Sequence, residues 1–121
     1  MALLGADLLF YPTAIGSEPH DPSIDSRDHW QRCMQGHAAA NVMPLVASNR
    51  VGPERGEKYD MTFYGSSFIS DPYGRVLVQA GRDDPAVLVA DLDLDQRRDW
   101  LALFPFLTTR RPDAYGSLVG R

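Results

Sequence analysis

The stretch Phe63–Leu77, FYGSSFISDPYGRVL, most constrains what this chain can fold into. It reads as a strand, a tight turn and a second strand. Asp71-Pro72-Tyr73-Gly74 suits a type I turn, with a side-chain acceptor first, proline where φ is preset and glycine fourth. Alternation puts Phe63, Gly65, Ser67 and Ile69 on one face, and Tyr64, Ser66, Phe68 and Ser70 on the other. The first face is small and hydroxyl-bearing between Phe63 and Ile69, as if another layer came close. A lone hairpin is marginal in water and needs more strands and a covering layer.

Part of that supply lies upstream. Asp7–Tyr11 is an apolar run closed by Pro12, a pattern that predicts a strand buried on both faces. Ser26 is placed as an N-cap, and Asp28 complements the helix dipole. Trp30, Met34, Ala38 and Val42 recur at helical spacing and predict a helix over 27–41, with Cys33 and His37 beside them. Met43–Ser48 reads as a second buried strand. Strand, helix and strand from 7 to 50 imply a right-handed crossover with parallel pairing.

The remaining segments are shorter. Residues 1–4 look like the last turn of a helix ended by Gly5 in the left-handed region. Residues 12–25, with three prolines, form an ordered loop, where sites tend to sit. Residues 51–61, with two glycines, one proline and five charges, read as an exposed loop. Residues 75–79 complete the hairpin, 81–85 turn, 86–92 form a branched-residue strand and 95–103 a short helix. The tail Phe104–Arg121 is too apolar to be free in solution and is expected to pack on something.

Composition narrows the function. The chain has 121 residues, 44% hydrophobic and 23% charged, which fits one soluble domain. A net charge of -4 with scattered basic residues argues against a nucleic-acid surface. One cysteine excludes an internal disulfide framework and fits a reducing compartment. The apolar start has no basic n-region, is interrupted by Asp7 and is too short to span a bilayer. No membrane association and a cytoplasmic location are therefore expected.

His29, Cys33 and His37 fall four residues apart on the expected helix. The outer pair would stand about 12 Å apart and roughly 80° around the axis, so one metal cannot bind both. No further ligand is visible for Cys33 with His37. A nucleophile–base pair is disfavoured too, because a reactive thiolate wants a helix N-terminus or a strained turn. Cys33 and His37 are expected instead as buried, hydrogen-bonded packing residues on the helix's inner face. No G-x-S-x-G elbow or phosphate loop is present. Glu18, His20, Asp21 and Asp25 either recognise a cation or amine, or form a solvated acidic loop. Arg110-Arg111 either pairs acids at an interface or is a surface charge pair.

Five pieces in order then form a wider pattern: Tyr11–Pro19; Arg27–Trp30 with Gln35–Ala38 and Ala40-Asn41; Val46–Gly52; Phe63–Ile69 with Pro72 and Gly74; and Arg110–Asp113 with Tyr115. The chain resembles the C-terminal part of the carbon–nitrogen hydrolases of the nitrilase superfamily. The resemblance implies an α/β fold, here the C-terminal half of an α-β-β-α four-layer sandwich. Residues 1–121 would then be the C-terminal portion of one hydrolase domain, the N-terminal portion being absent.

The activity implied is hydrolysis of N-carbamoylputrescine to putrescine, CO2 and ammonia, in polyamine biosynthesis, with no cofactor and no metal. It would run through an acyl-enzyme on a cysteine, with a Glu base and a Lys that stabilises the oxyanion. All three would lie upstream, and neither Cys33 nor Lys58 matches them. No catalytic residue is carried over, and the chain alone is expected to be inactive. The resemblance carries over a substrate-lining segment, Thr13, Ala14 and Ile15, with Glu18 placed to meet the amine end. Alternatives are an amidase for another N-carbamoyl amine or amino acid, and a non-catalytic assembly module. The expected partners are an N-terminal half, or a second copy met through Phe104–Arg121. A start inside a helix favours a gene fragment over a split enzyme.

Overall fold

The computed structural model describes residues 1–119, so the end of the expected tail, 120–121, lies outside the described residues. The elements are strands β1 (Leu9–Thr13), β2 (Leu45–Asn49), β3 (Val51–Arg55), β4 (Asp60–Tyr64), β5 (Phe68–Ser70) and β6 (Val76–Gln79), and helices α1 (Arg27–Asn41), α2 (Asp95–Leu103) and α3 (Gly116–Val119). They make an α/β fold with a four-stranded sheet, ordered β1-β2-β5-β6, and a separate β3-β4 hairpin. The strand–helix–strand unit is as expected: β1 and β2 pair in parallel from Leu9↔Leu45 to Thr13↔Asn49. β5 and β6 then add antiparallel.

The core lies where α1 covers one face of this sheet. Met34 and Ala38 pack on Leu45, Ala47 and Phe68, with Leu9, Tyr11, Trp30 and Val76 around them. The Trp30 ring meets Phe68 edge-on at 6.0 Å and 87°. Phe68 is fully buried, which contributes about 1.5–3 kcal/mol from apolar transfer alone. Gln31 crosses to Gln79, and Gln35 donates to the Gly74 carbonyl at 2.8 Å, tying α1 to the far edge of the sheet.

The turn forms as expected. Gly74 N–H bonds the Asp71 carbonyl at 3.1 Å, and Asp71 Oδ1 accepts from Tyr73 N–H and Arg75 N–H at 2.8 and 3.0 Å. Residues 2–4 form one 3-10 turn, and Gly5 ends it at φ 84°.

Several expectations are corrected. β1 is not buried on both faces, since Phe10 is 68% exposed. Among the described residues, α1 packs on the face that carries Leu9 and Tyr11, the opposite side from Phe10. β1 also runs through Pro12 instead of stopping before it. Leu9 N–H and the Thr13 carbonyl bond towards β2, so Pro12 points to the open edge, where its missing N–H costs no ladder bond. Residues 51–61 are exposed but are not simply a loop: β3 and β4 pair from Val51↔Tyr64 to Arg55↔Asp60. Ser26 occupies the N-cap position, but its hydroxyl makes no cap bond. Its backbone, at φ -86° and ψ 1°, is outside the extended region that aims a cap oxygen at the helix. Asp25 Oδ1 instead accepts Arg27 N–H at 3.1 Å.

The single strand expected from 63 to 70 is broken. Gly65 and Ser66 both take left-handed conformations, at φ 53° and 57°, where the chain leaves the hairpin and enters the main sheet. The expected face alternation therefore does not carry across them. Residues 86–92 form no strand among the described residues, and Val87 and Val89 are 90% and 82% exposed. The branched residues are present, but no neighbouring strand pairs with them. The tail begins by folding back, with Trp100 against Tyr73 at 5.1 Å and Phe104 against Trp100 at 4.9 Å. Phe106 remains 46% exposed.

Candidate functional site

In a parallel α/β sheet the carboxyl ends of the strands, and the loops that leave them, form the usual crevice. Here those ends are Thr13 and Asn49, paired across β1 and β2. The side-chain amide of Asn49 organises the chain beyond both ends. Its Oδ1 accepts Ile15 N–H at 2.9 Å and lies 3.1 Å from Thr13 Oγ1. Its Nδ2 donates to the Ile15 carbonyl at 3.1 Å and to the Gly65 carbonyl at 3.0 Å. Both amide hydrogens are thus in use, and Oδ1 accepts Ile15 N–H while sharing the single Thr13 hydroxyl proton with the Ser48 carbonyl. The main chain of Asn49 is held in turn by Ser67, whose Oγ accepts Asn49 N–H at 2.9 Å.

The loop after β1 is pinned from its other side by β4. Tyr64 N–H donates to the Ile15 carbonyl at 3.1 Å, and Gly16 bridges Phe63. Ser17 N–H donates to the Thr62 carbonyl at 2.8 Å, and Ser17 Oγ accepts Thr62 N–H at 3.0 Å. Residues 13–17 are therefore a fixed strip between the end of β2 and the hairpin.

Each expected wall residue has a defined place. Thr13 is half-buried, and its hydroxyl is turned towards β2, 3.0 Å from the Ser48 carbonyl. Ile15 is half-buried with both main-chain groups bonded, and Ala14 between them is exposed. Glu18 follows directly on the pinned strip. Its side chain is exposed and, among the described residues, makes no ion pair or hydrogen bond.

The rest of the acidic loop is committed elsewhere. Asp21 Oδ1 accepts from Ser23 Oγ and Ser23 N–H at 2.6 and 3.0 Å, and these two bonds, the hydroxyl first, hold its carboxyl below the usual range. Asp25 is held low chiefly by the hydrogen bond from Arg82, at 2.7 Å, and then by Arg27 N–H. The His20 ring meets Tyr59 edge-on at 6.1 Å. Of the expected cluster, only Glu18 presents an unengaged charge.

Beside Asn49 lies a groove of about 370 Å³ lined by Ser48, Asn49, Arg50, Ser67, Asp84 and Ala86. The Arg50 guanidinium stacks over Phe63, 4.5 Å from the ring centroid, and pairs with Glu54.

Cys33 and His37 are corrected. Both are hydrogen-bonded, but both are exposed, not buried on the inner face. The inner face of α1 runs through Gln31, Met34 and Ala38, and Cys33 is about 100° around the axis from Met34. Cys33 Sγ lies 3.6 Å from His29 Nε2, while His37 Nδ1 lies 3.0 Å from the Tyr11 hydroxyl. None of these groups belongs to the strip.

Asn49 and Ser67 are the residues at this strip that sequence reasoning did not single out as site residues. A signal existed for Asn49: it is the amide closing the otherwise small and apolar run Leu45–Ser48.

Comparison with known proteins gives a consistent picture. The sequence pattern of the family described as "Carbon-nitrogen hydrolase" matches residues 1–102. An N-carbamoylputrescine amidase of Solanum tuberosum is 54% identical over 123 residues, covering 98% of this chain and 41% of the relative. A citrullinase of Francisella tularensis is 51% identical over 122 residues, covering 98% and 42%. The crystal structure of a carbon–nitrogen hydrolase from Helicobacter pylori superposes with a TM-score of 0.88 at 39% identity, over 100% of this chain and 43% of that one. The chain thus spans about two fifths of the length of these relatives.

Proposed function

The chain belongs to the carbon–nitrogen hydrolase family of the nitrilase superfamily, and from that premise we propose that it forms one wall of an amidase active site for N-carbamoylputrescine. The observation that carries this reading is Glu18: an unengaged carboxylate next to a pinned loop, in a chain 54% identical to an amidase of that name. Thr13, Ala14 and Ile15 give the substrate's body a fixed, mostly uncharged strip. Glu18 meets the distal ammonium, where an ionised acceptor is worth more than a neutral one.

The acyl transfer itself is assigned to residues outside this sequence. Its single cysteine, Cys33, sits on the outer side of α1 beside His29, and its single lysine, Lys58, sits in the exposed β3–β4 turn. A thiolate, a carboxylate base and an ammonium suffice for such a transfer, and the products are putrescine, CO2 and ammonia.

The test is kinetic and uses the complete amidase carrying this segment. Glu18→Gln is expected to raise KM for N-carbamoylputrescine about tenfold and to leave KM for a carbamoyl amine lacking the ammonium within about twofold. Equal effects on both substrates would remove Glu18 from the site.

A second reading has its own support, the 51% identity to a citrullinase. Citrulline carries a carboxylate as well as an ammonium. On this reading Glu18 meets the ammonium of citrulline, and Glu18→Gln raises KM for citrulline about tenfold. A wild-type kcat/KM at least about tenfold higher on N-carbamoylputrescine than on citrulline selects the first reading.

A further inference from the structure

We propose that Asn49 is the positioning residue of this site: its side-chain amide sets where Thr13–Ile15 stands, and through it the binding of the substrate. The proposal rests on the reading of that strip as the substrate wall.

The geometry is specific. β1 ends at Thr13, and β2 ends at Asn49. Beyond them the main chains separate. The Asn49 side chain then does what a peptide group would do, accepting Ile15 N–H at 2.9 Å and donating to the Ile15 carbonyl at 3.1 Å. It adds one more rung to the parallel ladder after the ladder's main-chain part has stopped. The second Nδ2 hydrogen reaches the Gly65 carbonyl at 3.0 Å, at the left-handed step where the chain changes sheet. Gly65 N–H in turn donates to the Arg50 carbonyl at 3.0 Å. One amide thus fixes the strip, the end of β2 and the sheet-changing step to each other.

No other residue type does this at the same length. Aspartate keeps both acceptances but turns an acceptor towards the Ile15 and Gly65 carbonyls. Leucine keeps the bulk and makes none of the bonds. The two bonds fix both main-chain groups of one loop residue 34 positions away in sequence.

The experiment uses the complete amidase carrying this segment, and KM is read on whichever amide the wild-type enzyme turns over. Failure of the carbamoyl-amine reading would therefore leave this one decidable. Asn49→Asp is expected to raise KM about tenfold while kcat stays within about threefold, because a displaced wall loses binding shared by ground and transition states. Hydrogen exchange at Ile15 N–H should speed up by at least about tenfold, with the Leu45–Ala47 ladder unchanged. KM within about twofold of wild type overturns the proposal, whatever exchange does. A fall in kcat alone, as a purely structural loss of active enzyme would give, overturns it too. Should Asn49→Asp not fold, Asn49→Ser replaces it, removing the amide's bonds to Ile15 and Gly65 without adding a charge. It is then expected to raise KM about tenfold, and an unchanged KM overturns the proposal.

Discussion

Gly65 shows how tightly single positions are specified. Its φ is 53°, and a Cβ built there would stand 2.3 Å from the Arg82 carbonyl oxygen, a main-chain atom that cannot swing aside. Left-handed backbone costs a side-chain-bearing residue about 1–2 kcal/mol before any clash. Gly65→Ala is therefore expected to destabilise the fold by about 2 kcal/mol or more, read as a lower urea midpoint at unchanged m-value. An unchanged midpoint would mean that the step between sheets relaxes freely. Ser66 takes the same region, at φ 57°, and gains compensation: it is 1% exposed, its N–H bonds the Gly81 carbonyl at 2.9 Å and its Oγ the Tyr64 carbonyl at 2.9 Å. Val42 is a third case, a branched residue at φ 48° that ends α1 and is 1% exposed, so packing holds it where propensity would not.

Among the elements, the acidic loop is tied to the region after β6 by one ion pair, Asp25 with Arg82 at 2.7 Å. The Asp25 carboxyl lies below the usual carboxylate range, first because of the Arg82 hydrogen bond and then because of Arg27 N–H. A depressed folded pKa means that the stabilisation is whole above the unfolded value, about 3.9, and is lost as pH falls through the folded one. Acidification below about pH 4 should thus release this loop from Arg82 before the core opens. NMR shifts of Arg82 against those of Trp30 follow it. Asp25→Asn should abolish the step, and a step that persisted in that variant would place the tie elsewhere. Legibility in the sequence followed the range of the interactions. Met34 and Ala38 at helical spacing, and Asp71–Gly74 with its local side-chain acceptor, were readable because their causes lie within a few residues. The β3–β4 pairing was not, because Gly52, Pro53 and five charges look like loop while the main chain still pairs. Thr13–Ile15 could be placed from the resemblance, but the role of Asn49 could not, because its partners are Ile15 and Gly65, separated from each other by the whole helix and β2.

For the whole molecule, the decisive asymmetry is that α1 covers one face of the main sheet while Phe10 is left 68% exposed in β1. The segment Ala86–Leu92 continues that asymmetry, with Val87 and Val89 at 90% and 82% exposure and no strand beside them. Its consequence is colloidal. Val87-Leu88-Val89-Ala90 is short, uncharged, proline-free and strongly β-forming, the composition that seeds intermolecular sheets when left unpaired. Asp83, Asp84 and Pro85 before it, and Asp91 and Asp93 after it, stand where gatekeepers stand in natural sequences. Val87→Lys should therefore slow the concentration-dependent aggregation of this chain severalfold, followed by light scattering, with its circular-dichroism spectrum unchanged. An equal aggregation rate would show that another surface nucleates it. The same four residues that make the segment sticky would make it an effective strand for any polypeptide able to lie alongside, so solubility and completeness of the fold are two readings of one edge.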